Sequence, residues 1–177
     1  MFVYCLQCQT QRCRIIAELL EKKGAFRAIS PQIISRHRKQ GKLEDHAYDL
    51  LPGYVFVYSQ EQLESFDLFS RIDGIIRRLD SENAAEGLTG ADLEFALNLY
   101  RKNGILGTVT LFKEGDAVRI DDPLFQDYNG TVVYIDHRKQ RAQIRFSFDG
   151  KEWTIWASCD VLYQDKDKDR LKQPDRA

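Results

Sequence analysis

No apolar run in this chain approaches the ~20 residues needed to cross a bilayer, so no membrane-spanning helix and no membrane partner are expected. The N-terminus opens on a strand pattern with no basic n-region and no small-residue cleavage site, which points to a cytoplasmic protein. The motifs of phosphate-binding and nucleophilic enzymes are missing too: there is no P-loop, no Gly-x-Gly-x-x-Gly and no Gly-x-Ser-x-Gly. Histidines number only three, and His37, His46 and His137 have no nucleophile or carboxylate at a motif spacing. No catalytic residues, no enzyme activity and no cofactor are therefore expected. An excess of charge of one sign is also lacking: 26 Lys and Arg stand against 27 Asp and Glu. That balance excludes a uniformly basic nucleic-acid binder but leaves room for a local basic patch. Four cysteines invite a metal or redox reading, with Cys5, Cys8 and Cys13 near one another and Cys159 far along the chain, but their placement argues against it. Cys5 and Cys8 fall in a strand pattern, where an offset of three points side chains to opposite faces, and no second Cys/His pair completes a ligand set. Buried thiols in a reducing compartment fit better.

What is present changes character along the chain. In the first hundred residues, strand and helix patterns alternate. Phe2–Gln9 reads as a strand, and Thr10 can cap a helix carrying Ile15, Ile16, Leu19 and Leu20 up to Gly24. Two extended segments flank Pro31, and a charged loop is expected from Lys39 to Asp49. The Pro52-Gly53 turn launches the strand Tyr54–Tyr58. Ser59 with Gln62 makes a capping-box start for a helix with Leu63, Phe66 and Phe69. Ile75–Leu79 is a short strand, and Thr89 can cap a last helix running to Gly104. This order predicts helices on a small, mostly antiparallel sheet, the α+β class.

From Thr108 the helical spacing disappears. Short strands recur at Ala117–Ile120, Gly130–Ile135, Ala142–Phe148, Glu152–Ala157 and Val161–Tyr163, with Asp149-Gly150 as a hairpin dipeptide. Five short strands in about fifty residues predict a small SH3-like β barrel. The expected division is residues 1–104, a linker at 105–111, a barrel at 112–164 and a charged, disordered tail at 165–177.

Three stretches combine into a recognisable pattern: Leu51-Pro52-Gly53-Tyr54-Val55-Phe56-Val57, then Gly115-Asp116-Ala117-Val118-Arg119-Ile120, then Asp127-Tyr128-Asn129-Gly130-Thr131-Val132-Val133. An aromatic strand inside an α+β segment, followed by a small all-β module, resembles the NusG family of transcription elongation factors. The resemblance runs from Phe2 to about Leu162. It implies an NGN domain that grips RNA polymerase, followed by a KOW domain that recruits a further factor.

Tyr54, Phe56 and Tyr58 share one face of their strand while Val55 and Val57 share the other, so the strand is either sandwiched or offers one face to a partner. The family resemblance implies the second: Tyr54 and Phe56, with Leu51 at the rim and Val3 or Gln7 from the first strand, would receive the clamp helices of the polymerase's largest subunit. Leu51 stands where many family members carry Phe. Arg12 and Arg14 place positive charge where a helix dipole disfavours it, and Arg36, Arg38, Lys39 and Lys42 cluster around His37. Both groups are candidates for phosphate contacts, and the resemblance implies upstream DNA or nascent RNA as the nucleic acid. In the barrel, Asp122-Pro123-Leu124-Phe125-Gln126-Asp127-Tyr128-Asn129-Gly130 is similar to the family's Asp-Gly-Pro-Phe-x-x-Phe-x-Gly loop. The match implies that Phe125 and Tyr128 meet the termination factor Rho or a ribosomal protein of the small subunit, beside a Gly130 whose backbone shape other residues cannot take. Taken alone, an aromatic in such a loop can equally plug the barrel end.

The pattern points to a specialised antitermination paralog, with two alternatives. One is a housekeeping member acting in Rho-dependent termination and in coupling transcription to translation. The other is a ribosome-associated RNA-binding module.

Overall fold

A computed structural model describes residues 1–24, 26–63, 67–79, 87–126 and 130–163. In chain order the elements are β1 (Phe2–Cys8), a 3-10 turn (Thr10–Arg12), α1 (Cys13–Lys23), β2 (Phe26–Ile29), β3 (Gln32–Lys39), β4 (Lys42–Asp49), β5 (Tyr54–Ser59), α2 (Asp67–Ser70), β6 (Ile75–Leu79), α3 (Gly90–Arg101) and β7 (Ile105–Leu106). Then come β8 (Val109–Glu114), β9 (Ala117–Asp121), α4 (Pro123–Gln126), β10 (Thr131–Asp136), β11 (Arg141–Phe148) and β12 (Lys151–Tyr163). The chain divides into two compact units, Met1–Ile33 with Tyr48–Leu106, and Ile34–Ala47 with Gly107–Ala177. The break after residue 106 falls where composition changes, but the hairpin 34–47 groups with the second unit.

The first unit is built on an antiparallel sheet in the order β2-β5-β1-β6. One face carries Tyr4, Leu6, Cys8, Val55 and Val57, which pack against Cys13, Ile16, Ala17 and Leu20 of α1. Those four helix positions are spaced three, one and three apart, which is one stripe of an α-helix. Ile15, expected in the stripe, is exposed because it lies about a hundred degrees round the helix from Ile16. Cys13 takes a core place instead. The helix also begins later than its sequence pattern implied: Thr10 falls in the 3-10 turn, and α1 has no side-chain cap. α3 begins after Thr89, as expected, although the threonine hydroxyl makes no cap bond.

The stretch Lys39–Asp49 is not a loop. Gln40 and Gly41 take φ of 49° and 82°, so a two-residue turn with both centres left-handed folds β4 back on β3. β4 escaped a strand assignment because Lys42–Ala47 is exposed throughout and carries no alternation of apolar residues. The expected capping-box helix lies partly outside the described residues, which exclude 64–66; the short helix α2 begins directly after that gap.

In the second unit, strands in the order β10-β11-β12-β8-β9 form one curled sheet, a half-barrel of the SH3-like type. β11 alternates strictly: Ala142, Ile144, Phe146 and Phe148 face inward, and Arg141, Gln143, Arg145 and Ser147 face outward. Asp149-Gly150 makes the expected hairpin turn, with φ of 53° and 64°. β12 is a single strand of 13 residues where two short ones were expected. It pairs antiparallel with β11 through Lys151–Ser158 and parallel with β8 through Cys159–Tyr163.

Candidate functional site

The aromatic strand β5 has both faces covered. Its six residues are all buried, Phe56 completely. Val55 and Val57 face α1, while Phe56 lies 6.3 Å from Phe95 of α3 and the Tyr58 hydroxyl donates to the Ala96 carbonyl at 2.8 Å. Tyr58 also stacks at 4.8 Å on Tyr100, and burial pushes its phenol pKa up. Leu51, Tyr54 and Val3 are exposed by 1%, 3% and 1%. The expectation that this strand offers an open face to a partner is therefore corrected. α3 occupies the side that Tyr54, Phe56 and Tyr58 share, because its Phe95, Ala96 and Leu99 need the same cover.

The basic residues are less free than their sequence clustering implies. Arg12 is paired with Asp73, and Arg14 lies 3.4 Å from Asp49. Both pairs belong to the first unit and offset the dipole penalty at the start of α1. In the second unit, Arg36 is held by Asp45 at 3.0 Å, by the Gln140 side chain at 2.8 Å and by Thr108 at 3.4 Å. Arg38 donates to the carbonyls of Gly41 and Arg138. Lys39 and Lys42 are exposed. The hairpin thus lies along the β10–β11 turn, where Arg138, Lys139 and Arg141 add further cations. The local field is positive. The imidazole of His37 titrates below its ordinary range, first through desolvation and then through Arg141, its neighbour His46 and Lys139.

In the barrel loop, Phe125 is buried and packs at 5.5 Å, edge-on, against Phe146. It plugs the barrel rather than facing a partner, because the one-turn α4 rolls it inward. Asp122 sets that turn by accepting from the Leu124 amide at 3.0 Å. Gly130 is required for want of space: a Cβ there would stand 2.6 Å from the Phe125 Cβ. Tyr128 lies outside the described residues.

All four cysteines are buried free thiols, with Cys8 on the α1 face. Burial, with the neighbouring Cys13, pushes the Cys8 thiol up to about 12.

Three residues that the sequence pattern does not single out come together on the outer face of the barrel. Tyr134 stands edge-on to Trp156 at 6.0 Å, and the Arg141 guanidinium lies over the Trp156 ring at 4.3 Å. The available signal was alternation: on β11 the outward positions Arg141, Gln143 and Arg145 are polar, yet Gln143 has an aromatic neighbour on each side, Tyr134 on β10 and Trp156 on β12.

Residues 3–94 match the family model described as "Transcription termination factor nusG". Among curated relatives, a transcription termination/antitermination protein NusG of Buchnera aphidicola is 25% identical over 117 residues, 65% of this chain and 65% of that protein. The protein of the same description from Vibrio cholerae is 32% identical over 104 residues, 56% of each. A solved chain, from "Domain interaction in Thermotoga maritima NusG", aligns with a TM-score of 0.52 at 21% identity, covering 88% of this chain and 92% of that one. At that identity the likeness concerns the fold alone. The match spans less than two thirds of the length of these curated relatives.

Proposed function

Because this chain belongs to the NusG family, whose members are transcription factors and not enzymes, we propose that it is a cytoplasmic regulator of transcription elongation that favours processive, antiterminated transcription. The observation that carries this is the family match over residues 3–94, which takes in α1, the four-stranded sheet and the start of α3. The first unit, the NGN domain of the family, binds RNA polymerase at the clamp helices of its largest subunit. Leu51, Tyr54, Phe56 and Val3 form the wall beneath that contact, fixing its shape from the core. The basic residues Arg36, Arg38, Lys39 and Lys42, with Arg12 and Arg14, contact phosphates of nearby nucleic acid. The second unit, the KOW barrel, recruits a further factor, Rho or a small-subunit ribosomal protein, with Phe125 holding the loop from inside.

Purified polymerase core supplies the test. The full chain should co-sediment with polymerase and raise read-through at a terminator. The pair Tyr54→Leu and Phe56→Leu, which trims this wall without emptying it, should lower retention on polymerase and lower the melting temperature while one cooperative unfolding transition is kept. A chain that neither binds polymerase at low salt nor alters read-through would overturn the assignment. Unchanged retention of the double variant would remove these four residues from it.

A further inference from the structure

The outer face of the β10–β11–β12 sheet carries side chains that the barrel does not need for its core. Three cross-strand rows lie in register on that side: Asp136, Arg141 and Ser158, which are largely covered; then Tyr134, Gln143 and Trp156; then Thr131, Arg145 and Thr154. The middle row is the unusual one. Tyr134 is 58% exposed, among the most exposed large apolar side chains of the described residues, and it has the T-shaped contact with Trp156. The Arg141 guanidinium covers Trp156 and is braced 3.6 Å from Asp136, so the two rings are held in place instead of swinging in solvent. Gln143 is the register partner of both residues on the strand between them, and its amide can donate and accept. Next to this row, the β10–β11 turn and the β3–β4 hairpin supply Arg138, Lys139, Lys39 and Lys42, and the hairpin is tied to the turn through Arg36–Gln140 and Arg38–Arg138. Exposed rings beside a cationic rim are the two components of single-strand recognition: bases stack on the rings, and phosphates follow the charge.

We propose that this face is a stacking platform for unpaired bases of single-stranded RNA, with Tyr134 as the exposed stacking ring, the half-buried Trp156 as the support that orients it, and the adjoining turn and hairpin as the phosphate rim. The proposal deepens the reading of the hairpin as a phosphate contact and rests on it. It selects RNA over DNA because a transcript leaving polymerase is single-stranded, whereas the DNA upstream has closed into a duplex whose bases cannot reach a flat ring. An acidic peptide would suit the cations but would leave the aromatic row and Gln143 without a purpose.

The chain has two tryptophans, so a Trp153→Phe background makes Trp156 the sole indole reporter. Full-length protein in that background is titrated with a twelve-nucleotide unstructured RNA, an abasic ribose-phosphate oligomer of equal length, the matching RNA duplex and an acidic peptide. The base-bearing single strand should quench Trp156 and bind at least about tenfold more tightly than the abasic oligomer or the duplex, since one stacked base is worth that order. Tyr134→Ala should lower affinity for the RNA about tenfold with its salt dependence unchanged, and Tyr134→Phe should restore it. Neutralising Lys39 and Lys42 should instead flatten the salt dependence for RNA and abasic oligomer alike. Equal binding of RNA and abasic oligomer, unaffected by Tyr134→Ala, overturns the platform while leaving the phosphate contact standing. Absence of salt-dependent binding to any oligomer overturns both. Preferential binding of the duplex or the acidic peptide overturns the platform in favour of that occupant.

Discussion

Two aromatic sets, one in each unit, have opposite fates. Tyr54, Phe56 and Tyr58 lie on one face of β5 and are fully covered, whereas Tyr134 and Trp156 lie on one face of the curled sheet, with Tyr134 exposed and Trp156 half-buried beside it. The difference is not in the strands, since both sets stand on well-paired antiparallel ladders. It lies in what comes afterwards in the chain. The first sheet is followed by α3, whose Phe95, Ala96 and Leu99 need a partner surface and take this one. Among the described residues the half-barrel has only the single turn of α4, and that turn goes to the inside with Phe125. Aromatic rings on a strand therefore mark core or contact according to whether a second layer exists to claim them.

The largest expected effect breaks the comparison on its buried side. Phe56→Ala should cost about 3–5 kcal/mol of stability, because a fully enclosed ring leaves a cavity between sheet and α3. Tyr134→Ala should stay within about 1 kcal/mol, as suits an exposed position. Denaturant melts of the two variants check this directly; equal losses would mean that the outer row is structural after all.

An intermediate effect sharpens the comparison through one buried thiol in each unit. Cys8 titrates near 12 and Cys159 near 11, each raised first by burial. An acid whose folded pKa exceeds its unfolded value keeps its proton longer in the native state. Its contribution is complete below the unfolded pKa of about 8.5 and is lost as pH rises through the folded values. Stability should therefore fall between about pH 9 and pH 12, and native Cys8 should resist alkylation at pH 8 until denaturant is added. Rapid native labelling of Cys8 would show that the α1 face opens.

The smallest effect concerns the hairpin. Arg36→Gln removes its ion pair with Asp45, whose carboxylate is half exposed, and should cost under about 1 kcal/mol. A larger loss in thermal melts would mean that the hairpin's link to the barrel turn carries much of the second unit's stability.

Much of this fold was legible from local pattern. β1, β5, β6 and β11 alternate or run apolar between turn signals, and the turn at Asp149-Gly150 needed only its two residues. β4 was not legible, because a strand that buries nothing leaves no hydrophobic trace and is fixed only by pairing with β3. β8 was missed although Val109 and Leu111 alternate, since it starts straight after the Gly104–Gly107 boundary and reads as linker. The candidate site was harder still. Nothing near Tyr54 or Phe56 says that a helix some forty residues on will cover them. Tyr134 and Trp156 are separated by two strand crossings, so their meeting is a fact of register and not of sequence spacing. The ion pairs of Arg12 and Arg14 also join residues far apart, Asp73 and Asp49, which no local reading could supply.

The parallel pairing of β12 with β8 has a consequence in time. Val109 pairs with Cys159 and Lys113 with Tyr163, so every partner in that seam comes fifty positions later. During synthesis at roughly 5–20 residues per second, β8 waits on the order of 3–10 s before its neighbour exists. β1 and β5 of the first unit are complete by then, and β10 and β11 can already form a hairpin, but the seam that joins β8–β9 to β10–β11–β12 closes last. A nascent chain stalled before residue 159 should therefore hold a finished first unit and a protease-sensitive second one. The second unit can complete its sheet only once Tyr163 has been made.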